Sequence, residues 1–136
     1  MVKEEGKLIE TIRCAFKNYI KRHNEVEALL IYGSYVRGDM TPRSDIDLCL
    51  VVPEVKTNTK KGIILIRSAW REVNLDFSRY DLRIFELLPL YIQISIIKNH
   101  KVIYARSMPD LYEYFYFNYL KLWKDQEKRA MTTTYF

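Results

Sequence analysis

Two short groups of residues in this chain have types and spacing suited to phosphate chemistry: Gly33-Ser34 and, after ten intervening residues, Asp45-Ile46-Asp47. A glycine that follows an apolar run lets the backbone turn tightly. A serine opening a helical turn then offers a hydroxyl together with free backbone N–H groups. Such a turn is a cradle for phosphate, strengthened by the positive end of a helix dipole. In an extended strand side chains alternate faces, so Asp45 and Asp47 are expected on one side, their Cα atoms roughly 6.5 to 7 Å apart, with Ile46 and Leu48 turned into a core. Two carboxylates so placed can hold Mg²⁺, which takes a few carboxylate oxygens and completes its shell with water and substrate phosphate. Two such ions about 3.5 to 4 Å apart stabilise both the attacking and the leaving oxygen of an in-line displacement at phosphorus.

Singly, each group has an ordinary explanation, because Gly-Ser is a common turn and an Asp-x-Asp pair often sits on the solvent side of an edge strand. The fixed order between two strand-like segments is what points to chemistry. Arg37 has a guanidinium that forks well onto phosphate oxygens, and it would serve equally in a surface salt bridge. Asp39 and Arg43 fall in the connecting loop and read as solvated.

The elements that must position these groups follow from periodicity. Leu8, Ile12, Phe16 and Tyr19 recur at helical spacing, with Ile9 and Ile20 beside them, so residues Glu4 to Arg22 read as an amphipathic helix. Glu27 to Tyr32 is a buried strand running into Gly33, and Asp45 to Val52 is a second strand stopped by Pro53. Lys60 to Val73 offers Ile63, Ile66, Trp70 and Val73 to one helical face, with Gly62 weakening its start. Tyr80 to Phe85 alternates, placing Tyr80, Leu82 and Ile84 on one face and Asp81 and Arg83 on the other. Pro89 fits the first turn of a short helix reaching about Lys98, Val102 to Ala105 is a last strand, and Pro109 opens a final helix to about Lys128. The order α-β-β-α-β-α-β-α predicts an α/β domain with a small mixed β-sheet and flanking helices, in one domain over residues 1–130 with a flexible tail at 131–136.

A length of 136 residues suits one ordinary domain, and 49% hydrophobic with 29% charged residues is a globular balance. The net charge of +5 favours anionic partners, yet Lys and Arg are spread along the chain without a nucleic-acid-binding module. Cys14 and Cys49 fall in apolar segments without metal-ligand spacing and read as buried free thiols. The charged start at Lys3, Glu4 and Glu5, and the absence of a run long enough to span a bilayer, lead to an expected cytoplasmic protein.

The stretch Ile31 to Leu48, IYGSYVRGDMTPRSDIDL, resembles the signature of the DNA polymerase beta-like nucleotidyltransferase superfamily: Gly-Ser, ten residues, then Asp-x-Asp. Arg37-Gly38 and Ser44 further resemble the short minimal nucleotidyltransferases, and residues from about Leu29 to Tyr104 fit that branch in order and spacing. The resemblance implies a nucleotidyltransferase fold, with Gly33, Ser34, Arg37 and Ser44 at the nucleotide, Asp45 and Asp47 on two Mg²⁺ ions, and ATP as donor. It also implies a third carboxylate on a neighbouring strand, as metal ligand and base for the acceptor. Asp81 is the first choice and Asp76 the rival, and Arg83 stands where an apolar residue is more usual.

Members of that branch commonly act as antitoxins that attach AMP to a tyrosine of a HEPN-domain ribonuclease toxin, which implies a HEPN partner and a hetero-complex here. The last helix fits an interface: Leu111 to Trp123, LYEYFYFNYLKLW, is apolar around most of its circumference, more than the stripe of Leu111, Phe115, Tyr119 and Leu122 requires. The rival expectations are transfer to a small hydroxylated molecule of the aminoglycoside kind, and a non-catalytic module that neutralises its partner by occlusion.

Overall fold

The computed structural model describes the backbone of residues 2–134 and the side chains of residues 5–130. Four strands, β1 (Ala28–Tyr32), β2 (Ile46–Val51), β3 (Tyr80–Ile84) and β4 (Lys101–Ala105), form one mixed sheet in the order β3-β2-β1-β4. β1 pairs antiparallel with both β2 and β4, and β2 pairs parallel with β3. The parallel pair needs a crossover, which is supplied by α3 (Thr59–Glu72), capped at its start by the Asn58 side chain. The remaining helices are α1 (Val2–Arg22), the single turn α2 (Ser34–Arg37), α4 (Leu90–Lys98), α5 (Met108–Phe115) and α6 (Lys121–Thr134). The expected α/β class and mixed sheet are therefore those of the structure. The helix runs on to Thr134, while residues 135–136 of the expected tail and the side chains of 131–136 lie outside the described residues.

The sheet is covered on both faces, which is why β1 is a continuous apolar run instead of an alternating one. Leu29, Ile31, Leu48, Leu50 and Leu82 meet Ile12, Phe16 and Tyr19 of α1 and Leu65 and Ala69 of α3. On the opposite face Leu30, Cys49 and Val51 meet Ile94 and Ile96 of α4, Leu111 and Phe115 of α5, and Phe85. Each such side chain, removed from water, contributes about 1.5 to 3 kcal/mol, so two full layers hold the sheet rigid beneath whatever lies at its ends.

Three expectations about helix faces are corrected. α3 buries Gly62, Leu65 and Ala69, whereas Ile63 and Trp70 are about half exposed. A Cβ on Gly62 would stand 2.9 Å from Val55 Cγ1 and 3.0 Å from Leu87 Cδ1. The small residues thus mark the contact face, because only there can the helix approach so closely. Leu122 is 53% exposed, and Trp123 takes its place against the second core. The cause is a π-helical turn at Tyr116–Leu120, whose wider turn keeps residues 111, 115, 119 and 123 on one side. Cys14 is exposed, since its position on α1 falls off the face that buries Ile12, Phe16 and Tyr19, while Cys49 is buried as expected.

The π-turn adjoins a polar knot beneath the second core. Glu86 accepts from Val52 N–H at 2.8 Å and from Tyr114 O–H at 2.6 Å, and the Tyr114 and Tyr119 hydroxyls lie 2.9 Å apart. Lys56 Nζ donates to Asn118 Oδ1 at 3.0 Å and stands over the Tyr119 ring. Burial pushes the Glu86 carboxyl from its ordinary 4.5 up to about 7, against the lowering effect of these hydrogen bonds. The folded state thus holds this proton more tightly than the unfolded chain does. Its contribution to stability is full below pH 4.5 and is lost as pH rises through about 7. Glu86→Gln keeps acceptor and donor groups in place without the titration. Its urea midpoint should be closest to that of the parent at the acid end and exceed it increasingly as pH rises between those two values, with little change in m.

Candidate active site

β1 delivers the chain to Gly33, which adopts φ 76° and ψ −149°, a conformation open to glycine and closed to residues with a Cβ. α2 follows, and Gly38 ends it at φ 82° with its N–H bonded to Ser34 O at 3.0 Å. The N–H groups of Ser34 and Tyr35, in the first turn, have no helical carbonyl to bond. α2 is only four residues long, so what it offers phosphate is these N–H groups and the Ser34 hydroxyl, and little of the helix dipole expected from the sequence.

Strand register assembles the rest. Tyr32 on β1 lies opposite Asp47 on β2, and Asp47 lies beside Asp81 on β3. Residues paired in this way share a face, so Tyr32, Asp47 and Asp81 form a row across the sheet on the side that α4 covers. Burial raises the Asp47 carboxyl above its ordinary range, and repulsion from Asp81 and Asp45 adds to this, while Arg37 and Arg83 oppose it. Burial also pushes the Tyr32 phenol up, reinforced by Cys49, Asp47 and Asp81, so Tyr32 stays protonated at neutral pH. Arg83 Nε donates to Asp81 Oδ1 at 3.0 Å.

A cavity of about 290 Å³ opens beside this row. Gly33, Ser34, Arg37 and Asp47 form one wall of it, and α4 forms the other. Four of the residues singled out in the sequence thus meet at one opening, with Asp81 next to Asp47 by register. Asp45 stands exposed one residue before β2 begins, because the ladder starts with Ile46 N–H bonding Arg79 O at 2.9 Å. Ser44 is turned to other work: its Oγ accepts from Thr41 N–H at 3.0 Å and lies 3.1 Å from Thr41 Oγ1, stapling the loop before β2. Arg37 is exposed and its Nε donates to Asp39 Oδ2 at 3.3 Å, a pair that solvent weakens and a ligand phosphate could replace. Asp76 is spent on a turn, accepting from Ser78 N–H at 3.1 Å and Ser78 Oγ at 2.6 Å, bonds that lower its pKa. Tyr32, Tyr91, Ser95 and Asn99 on the cavity were not singled out from the sequence. Only their places in β1 and α4 bring them there, and no spacing pattern within the motif foretells it.

The acidic row suits a hard divalent cation in its donors and its charge. Asp47 and Asp81 offer carboxylate oxygens, and the repulsion that adds to burial in lifting Asp47 is what such a cation would relieve. As the side chains stand, no group of three or more His, Cys, Asp or Glu converges closely enough to hold a metal ion among the described residues.

A mixed sheet carrying a Gly-Ser turn at the end of one strand and an Asp-x-Asp edge on the next is the frame of a nucleotidyl-transferring domain. Residues 15–108 match the family described as Polymerase beta, Nucleotidyltransferase, and the chain belongs to that family. It is a nucleotidyltransferase, and nucleotides are its substrate class. It is 44% identical over 106 residues, covering 78% of this chain and 76% of the relative, to "Putative protein adenylyltransferase MJ1547" of Methanocaldococcus jannaschii. Among solved structures it resembles a chain of a toxin-antitoxin crystal structure with AMP-PNP, with TM-score 0.58, 13% identity, and 90% of this chain and 94% of that one covered. A chain of the toxin-antitoxin MntA-HepT structure is similar at TM-score 0.51 and 11% identity, over 92% of this chain and 95% of that one. At these identities the two structures support the fold. No helix among the described residues is long and apolar enough to cross a membrane.

The packing of Asp47 against Gly33 gives a direct test. A Cβ on Gly33 would run into Asp47 Oδ2, at a φ that side chains resist. Gly33→Ala should destabilise the fold by more than about 1 kcal/mol and lower nucleotidyl transfer by about 100-fold, through displacement of the carboxylate. Asp47→Asn should behave oppositely in stability. The folded-state pKa of Asp47 lies above its ordinary 3.8, so the ionised carboxylate weakens the fold at neutral pH and ceases to do so as pH falls below that value. The variant should melt about 1 to 3 °C higher at neutral pH, with the gain vanishing in acid, while transfer is abolished. Calorimetry and a transfer assay measure both.

Proposed function

We propose that this chain is a Mg²⁺-dependent protein adenylyltransferase that moves AMP from ATP to a tyrosine hydroxyl of a HEPN-domain toxin, thereby acting as its antitoxin. The observation that carries the reading is the Gly33-Ser34 turn packed against Asp47 on one wall of a cavity, with Tyr32 and Asp81 flanking Asp47 in a row across the sheet. The 44% identical relative, named a protein adenylyltransferase, supports the reaction, and the toxin-antitoxin complexes among its structural neighbours support the kind of partner.

Ser34 Oγ and the N–H groups of Ser34 and Tyr35 bind the triphosphate, and Arg37 exchanges Asp39 for a phosphate oxygen. Asp45, Asp47 and Asp81 would hold Mg²⁺. When bound, this ion supplies neutralisation of the triphosphate charge and Lewis-acid polarisation at phosphorus. The acceptor oxygen attacks the α-phosphorus, the bond from that phosphorus to the pyrophosphate oxygen breaks, and Asp81 takes the acceptor's proton. Arg83, which holds Asp81 Oδ1, orients that carboxylate and leaves its other oxygen for the proton.

A protein acceptor also suits the surface. Tyr112, Tyr116 and Phe117 on the α5 to π-turn segment are 47%, 44% and 56% exposed, and aromatic side chains of this kind are favoured anchors in interfaces.

The test is mass spectrometry of a HEPN-domain toxin from the same genome after incubation with this protein, Mg²⁺ and each nucleoside triphosphate. A mass gain of AMP on a toxin tyrosine is expected with ATP, and none with the Asp45→Asn/Asp47→Asn variant. A stable complex that shows no gain with any triphosphate would instead mean inhibition by occlusion.

A further inference from the structure

α4 is an apolar helix, LYIQISIIK, that buries Gln93, Ile94 and Ile96 against the second core. One edge of it breaks that pattern. Tyr91, Ser95 and Asn99 recur at i, i+4 and i+8, which puts them in one stripe along the helix and its C-terminal cap. All three are exposed, Tyr91 at 67%, and all three line the cavity whose other wall is the Gly33-Ser34 turn and Asp47. The side-chain polar groups of the three make no hydrogen bond to any described residue. Packing does not require a polar stripe here, and a tyrosine ring left two-thirds in water at the mouth of a cavity is a surface waiting for a flat partner.

We propose that this stripe is the nucleoside subsite, in which Tyr91 stacks on the base, Asn99 reads adenine, and Ser95 hydrogen-bonds the ribose. The inference rests on the transferase reading, because it takes the Gly33-Ser34 wall to hold phosphate. With the phosphates there, the base and sugar of the same nucleotide extend toward the facing wall. A tyrosine face accepts any base by stacking. The amide of Asn99 carries a donor and an acceptor side by side, the pair that matches adenine N6 and N7, and guanine presents two acceptors at the corresponding edge. The stripe therefore supplies affinity through Tyr91 and selectivity through Asn99, and neither residue belongs to the Gly-Ser or Asp-x-Asp motif.

The experiment is isothermal titration of the full chain, with Mg²⁺ present and no acceptor, against ATP, GTP, CTP and UTP in turn. The parent is compared with Tyr91→Ala, Tyr91→Phe and Asn99→Ala. Exposure of all three positions makes folded variants the expectation, and the melting temperature of each confirms it. The parent should bind ATP most tightly. Tyr91→Ala should weaken every triphosphate about ten-fold or more, whereas Tyr91→Phe stays within about two-fold of the parent. Asn99→Ala should bring the ATP affinity down toward that for GTP. If the parent binds ATP and Tyr91→Ala and Asn99→Ala bind it equally well, the subsite is overturned while the transferase reading stands. A parent that binds no triphosphate at all overturns both.

Discussion

The closeness of Asp47 to the α-carbon of Gly33 is the constraint on which the site depends. The antiparallel register of β1 and β2 brings the end of one strand against the start of the other, and Oδ2 of Asp47 occupies the place where any Cβ at position 33 would stand. Glycine is needed there twice over, for its positive φ and for the missing atom. The Gly33-Ser34 turn and the Asp47 carboxylate are thus parts of one contact, and a shift in either disturbs the other. Burial, with added repulsion from Asp81 and Asp45, raises the Asp47 pKa, so the ionised carboxylate at that contact weakens the fold. Sites that crowd like charges commonly trade stability in this way.

The two cores divide the labour. α1 and α3 cover one face and serve as a platform, with Gly62 letting α3 lie close to Val55 and Leu87. On the other face α4 and α5 cover the centre but leave the end of the sheet at Tyr32 and Asp47 open to a cavity, with Asp81 beside Asp47 by register. The knot of Glu86, Tyr114 and Tyr119 ties the π-turn to Val52 behind β2, so the exposed aromatic side chains next to that turn are carried on a fixed support. A π-helical turn is a costly irregularity and tends to occur where function asks for it.

Much of this was legible in the sequence, because strands and motifs announce themselves locally. The order of elements, the strand bearing Asp47, and the alternation that separates Asp81 from Leu82 all follow from side-chain periodicity. What periodicity could not resolve was rotation. On α3 it favoured Ile63, Ile66, Trp70 and Val73; Val73 and Ile66 do meet the core, but Gly62, Leu65 and Ala69 take the places given to Ile63 and Trp70. On the last helix it assumed a regular turn and so chose Leu122 over Trp123, which the π-turn brings round. Within the site, the pattern grouped Ser44 and Asp45 with Asp47. The structure holds Ser44 by Thr41 and leaves Asp45 just outside the ladder. Pairing of β2 with β3 likewise lies beyond local reading, and that pairing is what sets Asp81 beside Asp47 and leaves Asp76 to its turn. The α4 wall was invisible for the same reason, since Tyr91, Ser95 and Asn99 reach the motif only through the fold.

The most direct test of the account is the fate of the donor's phosphates. The chain is incubated with the proposed HEPN-domain acceptor and Mg²⁺ in parallel reactions, one with ATP radiolabelled at the α-phosphate and one with ATP labelled at the γ-phosphate. Nucleotidyl transfer predicts that the α label becomes attached to the acceptor and the γ label leaves as pyrophosphate, with both events lost in Asp47→Asn. Attachment of the γ label, or release of inorganic phosphate without labelling of the acceptor, would contradict it.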